Sequence, residues 1–138
     1  MIKTFRGEYG FLSNFYYSPV EYEGLFFRCV ENAYQAAKTT NIETRKLFMT
    51  ITAVDAKKMG KQLEKRPDWD DIKLELMESL LIQKFSGSEL KEKLLSTGEE
   101  EIVEDNYWHD YYWGVCNGKG HNHLGKLLMK IREKINEN

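Results

Sequence analysis

Val30-Glu31-Asn32-Ala33-Tyr34-Gln35-Ala36-Ala37-Lys38 is the stretch on which the reading of the chain turns. Wound at about 100° per residue, it sets Glu31, Tyr34, Gln35 and Lys38 on one narrow arc. Ala33, Ala36 and Ala37 fall on the opposite arc, where small side chains let a helix backbone lie close to its neighbours. The helix is expected to end between residues 39 and 41, where β-branched and turn-forming residues collect. Glu31 and Lys38 then stand roughly 10 Å apart along the helix axis. That is too long for an ion pair and suits the length of a small ligand. A solvated polar face satisfies the same periodicity, and spacing alone favours it.

On the N-terminal side the chain reads as strands and turns, with residues 2–5, 20–22 and 25–27 as the strands. Gly7, Gly10, Pro19 and Gly24 punctuate them. Between lies Phe11-Leu12-Ser13-Asn14-Phe15-Tyr16-Tyr17-Ser18-Pro19. Aromatics at this density serve core or hairpin packing. Alternatively, Ser13, Asn14 and Phe15 can set a hydroxyl and an amide at the mouth of an aromatic pocket.

On the C-terminal side helices dominate. Residues 43–51 read as a short helix with Leu47, Phe48 and Ile51 on one side. Thr52-Ala53-Val54-Asp55 has the form of a capping box opening a helix that runs to Leu63. Asp68 is placed to cap a helix reaching about Phe85, whose broad apolar face carries Trp69, Ile72, Leu76, Met77, Leu80 and Leu81. Ser86-Gly87-Ser88-Glu89 reads as a second capping box, and Thr97-Gly98 as the end of the helix that follows. Residues 101–105 and 111–115 look like strands. The last helix buries Leu124, Leu127, Leu128, Ile131 and Ile135, with Lys130, Arg132, Glu133 and Lys134 facing elsewhere. The expectation is an α+β, mostly helical fold, with a small antiparallel sheet and about five to six helices in one domain over residues 1–138.

Composition narrows the function classes. A chain of 138 residues with 41% hydrophobic and 13% aromatic residues is long and apolar enough for one ordered domain. A net charge of −2 gives no global pull towards nucleic acid or membrane. Lys57, Lys58, Lys61, Lys65 and Arg66 form the one notable basic cluster, best read as a solvated face. Cys29 and Cys116 lack metal-ligand spacing and read as two free thiols. No signal-peptide or membrane-spanning pattern is visible, so the expectation is a soluble, cytoplasmic protein with no membrane or protein partner.

The second informative stretch is residues 104–125, where carboxylates, tryptophans and glycines crowd a connection into the last helix. Gly114, Gly118 and Gly120 permit close backbone approach, and Asn122 stands where a helix N-cap would. A glycine-rich loop entering a helix suits a phosphate, although many such loops only turn the chain. Gly120 to Lys126 has the spacing of a P-loop, but Leu127 stands where the magnesium-binding Ser or Thr is required, which excludes a nucleoside triphosphatase. His109, His121 and His123 lack the ligands that would complete a metal site, and no metal or cofactor is expected. Cys116 with a histidine has no third group to orient it as a nucleophile. Glu31, Glu104, Asp105 and Asp110 are the candidates for acid–base work at a glycosidic carbon. Lys38 offers another route, since a desolvated lysine attacks an aldehyde carbon. A helix C-terminus favours the charged ammonium, so this route needs burial in an aromatic pocket to outweigh the dipole.

Four blocks together resemble the NADAR family, also called the YbiA-like proteins. They are Phe11-Leu12-Ser13-Asn14-Phe15 with Ser18-Pro19; Glu31-x-Ala33-Tyr34-Gln35-Ala36-x-Lys38; and Trp69-Asp70-x-x-Lys73 with Met77 and Lys84-Phe85. The fourth is Asp110-x-x-Trp113-Gly114 followed by Gly120-x-Asn122-x-Leu124-Gly125-x-Leu127-Leu128-Met129-x-x-Arg132. Cys116 departs from the family's frequent glycine. The resemblance implies an N-glycosidase that cuts a ribose C1–N bond. Its substrate would be a phosphorylated ribosylamino-pyrimidine of riboflavin synthesis, or ADP-ribose attached to guanine, free or in a nucleic acid. Lys38 matches the family lysine proposed to form a Schiff base with ribose C1. Glu31 and Asp110 match its acidic positions, and Asn14, Trp113 and Asn122 its pocket-lining ones. On this reading the Glu31, Tyr34, Gln35 and Lys38 arc faces the sugar, with Ser13 and Asn14 near it. The loop carrying Gly114, Gly118 and Gly120 takes the phosphates, and Phe15, Trp69 or Trp113 the base. A non-catalytic module that binds ADP-ribose or a nucleotide is the alternative.

Overall fold

The computed structural model describes residues 1–137. The chain forms two compact units, one made of residues 14–84, the other of residues 1–13 together with the chain from Phe85 onward. The helix-rich α+β class and the small antiparallel sheet match expectation.

The 14–84 unit opens with a hairpin of β1 (Val20–Tyr22) and β2 (Leu25–Phe27), in which Val20 faces Phe27 and Tyr22 faces Leu25. Glu23 and Gly24 join them with φ of 46° and 88°, the paired positive angles of a two-residue hairpin turn. Val20 and Phe27 are buried while Phe26 is exposed, the alternation expected of a sheet with one covered face. The free side of β1 meets a side chain: Glu21 N–H donates to Gln83 Oε1 at 2.8 Å, and Gln83 Nε2 donates to Glu21 O at 2.7 Å.

Four helices follow: α1 (Val30–Ala36), α2 (Ile42–Lys46), α3 (Ala53–Gln62) and α4 (Trp69–Lys84). Helix α1 packs against the other three and the hairpin, and all seven of its residues are buried. The outward polar arc favoured by spacing alone is therefore absent. The helix is also shorter than expected, stopping at Ala36 rather than at residues 39–41. Lys38 N–H turns back to Gln35 O, and Lys38 O accepts Arg66 N–H at 2.7 Å, so the chain is committed to the segment after α3.

Helix α2 ends at Lys46 instead of continuing to Ile51. Asn32, fully buried in α1, donates Nδ2 to Phe48 O at 2.9 Å and to Ile51 O at 2.7 Å, taking carbonyls that further turns would not leave in reach. Phe48 is buried as expected, and Leu47 is exposed. The cap of α3 is as read: Thr52 Oγ1 accepts Asp55 N–H at 3.1 Å. Asp68 stands at the N-cap position of α4, its carbonyl accepting Ile72 N–H at 3.1 Å, but its carboxylate grips the Arg66 guanidinium at 2.6 and 3.1 Å instead of a helix amide. The forked ion pair competes successfully with one amide.

In the other unit, a 3-10 helix (Gly7–Leu12) buries Phe11 and Leu12, and Phe11 meets Phe85 edge to face at 6.5 Å. Helix α5 (Ser88–Ser96) starts from Gly87, whose carbonyl accepts Lys91 N–H, so the box expected at Ser86 is one residue early. Thr97 and Gly98, with φ of 65°, end it as expected. Helix α6 (His123–Glu137) buries Leu124, Leu127, Leu128 and Ile131, and leaves Ile135 half-buried. Arg132, expected outside, is buried and donates Nη1 to Thr97 Oγ1 at 2.9 Å.

The strands expected at residues 2–5, 101–105 and 111–115 reduce to isolated bridges, Ile2 with Ile102, Asp105 with Val115 and Cys116 with Lys119. Side chains claim the backbone groups that a ladder would use. Asn122 bonds Ile102 O and Glu104 N–H, while Asp110 Oδ1 accepts the N–H groups of Tyr112 and Trp113.

Candidate active site

The residues singled out in the sequence divide between the units. Asn14, Phe15, Glu31, Tyr34, Gln35, Lys38 and Trp69 belong to the 14–84 unit; Ser13, Asp110, Trp113, Gly114, Gly118, Gly120 and Asn122 belong to the other.

In the 14–84 unit, helix α1 brings Glu31, Tyr34, Gln35 and Lys38 together inside the protein, each less than a tenth exposed. Asn14 fixes the entry, its carbonyl accepting Glu31 N–H at 3.0 Å. Gln35 donates Nε2 to Glu31 Oε2 at 2.6 Å. Gln35 Oε1 is buried without a hydrogen-bond partner and faces Gly60 of α3, where any larger residue would collide with it. Gln35 is thereby pinned from one side by the carboxylate and from the other by the α3 backbone. Asn14 Nδ2 points to Met77 Sδ at 3.6 Å, and its Oδ1 is a second buried acceptor with no protein donor. Buried acceptors in that state suit a hydroxyl brought by a ligand.

Lys38 lies beyond the end of α1, with Nζ 5.8 Å from the centroid of the Tyr34 ring. Tyr34 in turn packs on the buried Trp69 ring at 5.1 Å. Burial pulls the Lys38 ammonium down to about 8, with the positive charges of Lys65, Lys61 and Lys73 acting in the same sense and Glu31 opposing them. The aromatic burial that a reactive lysine demands is thus present. At neutral pH a fraction of order one tenth of Lys38 is the neutral amine. Phe15, 40% exposed, does not share that enclosure.

In the other unit the glycine-rich loop is held by its own side chains. Asn106, buried and unremarked in the sequence, donates to Glu104 Oε2 and to Asp110 O, and its Oδ1 accepts Asp110 N–H, each at 3.0 Å. Gly114 lies so close to Glu104 and Asn106 that a β-carbon would collide with both. Asn117 and Gly118, with φ of 54° and 75°, form the two-residue turn between Cys116 and Lys119. Gly120 packs against the Gly114 carbonyl. Asn122 precedes α6, but with φ of 53° and both ends of its amide on the 102–104 backbone it is a brace, not a side-chain cap. Trp113 is half-buried and meets Tyr112 edge to face at 4.8 Å, and Ser13 is half-buried at the end of the 3-10 helix. His109 Nδ1 stands 3.9 Å from Cys116 Sγ and 3.2 Å from Tyr111 Oη. The thiol is buried and neither cysteine is paired.

Sequence reasoning gave Lys84 no role beyond its place in a family block. It is buried at the end of α4 with Nζ 5.7 Å from the Tyr16 ring centroid, where burial lowers the amine to about 7. In the Lys57–Arg66 run, Lys58, Lys61 and Lys65 are exposed, as the solvated-face reading expects.

The NADAR domain profile matches residues 2–136. The chain belongs to the NADAR family. It is 35% identical over 135 residues to N-glycosidase Npun_R5314 of Nostoc punctiforme, covering 92% of this chain and 86% of that protein. It is 33% identical over 134 residues to a riboflavin biosynthesis protein of Vibrio vulnificus, VVA0006, covering 94% of this chain but 36% of that longer protein. The NMR structure of Escherichia coli YbiA, at 31% identity, superposes with a TM-score of 0.85 and covers 99% of this NADAR chain and 83% of its own. Among the described residues, no helix is long and apolar enough to cross a membrane.

Proposed function

We propose that this NADAR protein is an N-glycosidase that hydrolyses the bond between ribose C1 and a ring or exocyclic nitrogen, with Lys38 as nucleophile. The carrying observation is the burial of Lys38 against Tyr34, which lowers its amine to about 8. The N-glycosidase name of a relative covered along most of its length supports the reaction class.

The reaction runs in three steps. Glu31, oriented by Gln35, gives a proton to the ribose ring oxygen as the ring opens and C1 becomes doubly bonded to the base nitrogen. The neutral Lys38 amine adds to C1; the base nitrogen takes a proton and departs, leaving Lys38 joined to C1 as an imine. Water adds to C1, Lys38 is expelled, and the sugar leaves as its aldehyde. Asn14 Oδ1 accepts a sugar hydroxyl. The Tyr34–Trp69 pair offers the aromatic surface for the base, with Phe15 at its margin. Asp110 keeps its assignment as a catalytic acid, and Trp113 as a substrate-binding residue, on the family resemblance.

Two substrate classes suit this chemistry, a phosphorylated ribosylamino-pyrimidine and ADP-ribosylated guanine. The name of the Vibrio relative favours the first. Side-by-side incubation with both, followed by chromatography of the released base, decides between them. Tight binding without release of base from either overturns the enzyme reading in favour of a binding module.

A further inference from the structure

Gly60 is buried in the last turn of α3, and its φ lies outside the left-handed region. Alanine holds such a position better, because glycine gives up more backbone freedom on entering a helix. Nothing in the conformation of residue 60 calls for glycine. Its neighbour does. A β-carbon at Gly60 would stand 1.9 Å from Gln35 Oε1, 2.6 Å from Cδ and 3.0 Å from Cβ. One bond length further back, Gly60 Cα is no more than about 3.4 Å from that oxygen, the range of a Cα–H···O contact. The buried acceptor, which lacks a conventional partner, rests on this weak donor. At the other end of the same amide, Nε2 donates to Glu31 Oε2 at 2.6 Å. Turned over, the amide would press its oxygen on the carboxylate and forfeit a charge-assisted bond.

We infer that Gly60 is a positioning residue for Glu31: the side chain it lacks is the slot that holds the Gln35 amide in line with the Glu31 carboxylate. The inference rests on the function proposed above and extends its machinery to a residue of α3 that acts only through Gln35. A methyl group at position 60 displaces the amide, and Glu31 loses the Gln35 donor together with the orientation that donor gives it. The acid that protonates the ribose ring oxygen is then misplaced. Asn14 and the Tyr34–Trp69 pair, which take the sugar and the base, keep their places. Displacement of a catalytic group by about 1 Å is enough to slow a reaction by about 10²-fold.

The test combines Gly60→Ala with Gln35→Gly, which removes the three atoms that the new methyl group would meet. Alone, Gly60→Ala is expected to lower kcat by about 10–100-fold with KM changed less than about threefold. It should also lower the melting temperature, although alanine is the better helix former. In the Gln35→Gly background the same substitution should leave kcat where Gln35→Gly put it and lose most of its effect on melting. An unchanged kcat in Gly60→Ala, or the same further loss in both backgrounds, overturns the inference. If Gly60→Ala alone does not fold, the double variant decides: a folded protein with the kcat of Gln35→Gly sustains the slot, and an unfolded one overturns it. A separate arm needs no turnover. The Gln35 side-chain amide protons, identified by their loss in Gln35→Gly, should exchange slowly with solvent in the wild type and rapidly in Gly60→Ala. Equal exchange in the two overturns the slot even if the enzyme is active. The expected contrast in a protein that releases no base sustains the slot and removes the glycosidase reading.

Discussion

Gln35 donates Nε2–H to Glu31 Oε2 at 2.6 Å, one turn apart on a helix with no exposed face. The pair survives exchange of the carboxylate for an amide, because Gln at position 31 still offers an oxygen to that donor. Glu31→Gln is therefore expected to keep its melting temperature within a few degrees while base release falls by about 10²–10⁴-fold, the range for removing a general acid. Thermal unfolding and a turnover assay on the same sample check this. A fully active variant would take Glu31 out of the chemistry.

Lys38→Met should separate stability from function. A lysine held at about 8 when folded binds fewer protons than the unfolded chain, where its pKa is about 10.4. The charged form is thus penalised in the native state, fully so below pH 8, and the penalty fades as pH rises towards 10.4. The methionine variant is expected to be at least as stable as wild type at pH 7, with its advantage shrinking steadily between pH 8 and about 10.4. Its turnover should be undetectable. Urea unfolding of both proteins at several pH values measures the difference free of other titrating groups.

Borohydride trapping carries its own pH signature. With an open-chain sugar aldehyde, whose capture needs no proton from Glu31, the initial rate of covalent capture at Lys38 should rise about tenfold per pH unit below 8 and level off above it, following the amine's own titration. Intact-mass and peptide mass spectrometry read out the adduct. Turnover without an adduct at any pH would favour water attacking an oxocarbenium-like carbon directly.

Asn122→Ala removes both partners of a buried brace, leaving Ile102 O and Glu104 N–H without their bonds. It also asks alanine to hold φ of 53°. The expected loss is about 2–5 kcal/mol, measured by denaturant unfolding. Asn122→Gly, which relieves only the backbone strain, should recover a minor part of it.

Periodicity and capping chemistry made most helices legible: the Thr52 cap, the apolar face of α4, the Thr97-Gly98 stop and the leucine pattern of α6 are local features, readable where they stand. The failures share a cause. Asn32 and Asn122 each satisfy backbone groups elsewhere in the chain, shortening α2 and dissolving the strand expected at residues 101–105. Nothing in their own neighbourhood announces those partners. The site shows the same division. Glu31, Tyr34, Gln35 and Lys38 were readable as a set from one helical arc, whereas their enclosure depends on α3 and α4 packing over them. A polar arc at 3.6-residue spacing is the same string whether it meets water or protein.

The amide of Gln83 imitates a third strand. A two-stranded hairpin is marginal by itself, and an open edge invites pairing with another chain. By supplying one donor and one acceptor to Glu21, a side chain of α4 finishes the sheet without lengthening it. At Glu21 the edge is therefore closed to pairing with another chain. Gln83→Leu should show it in the time course of turbidity under mild heating, long before any change in the native circular dichroism spectrum.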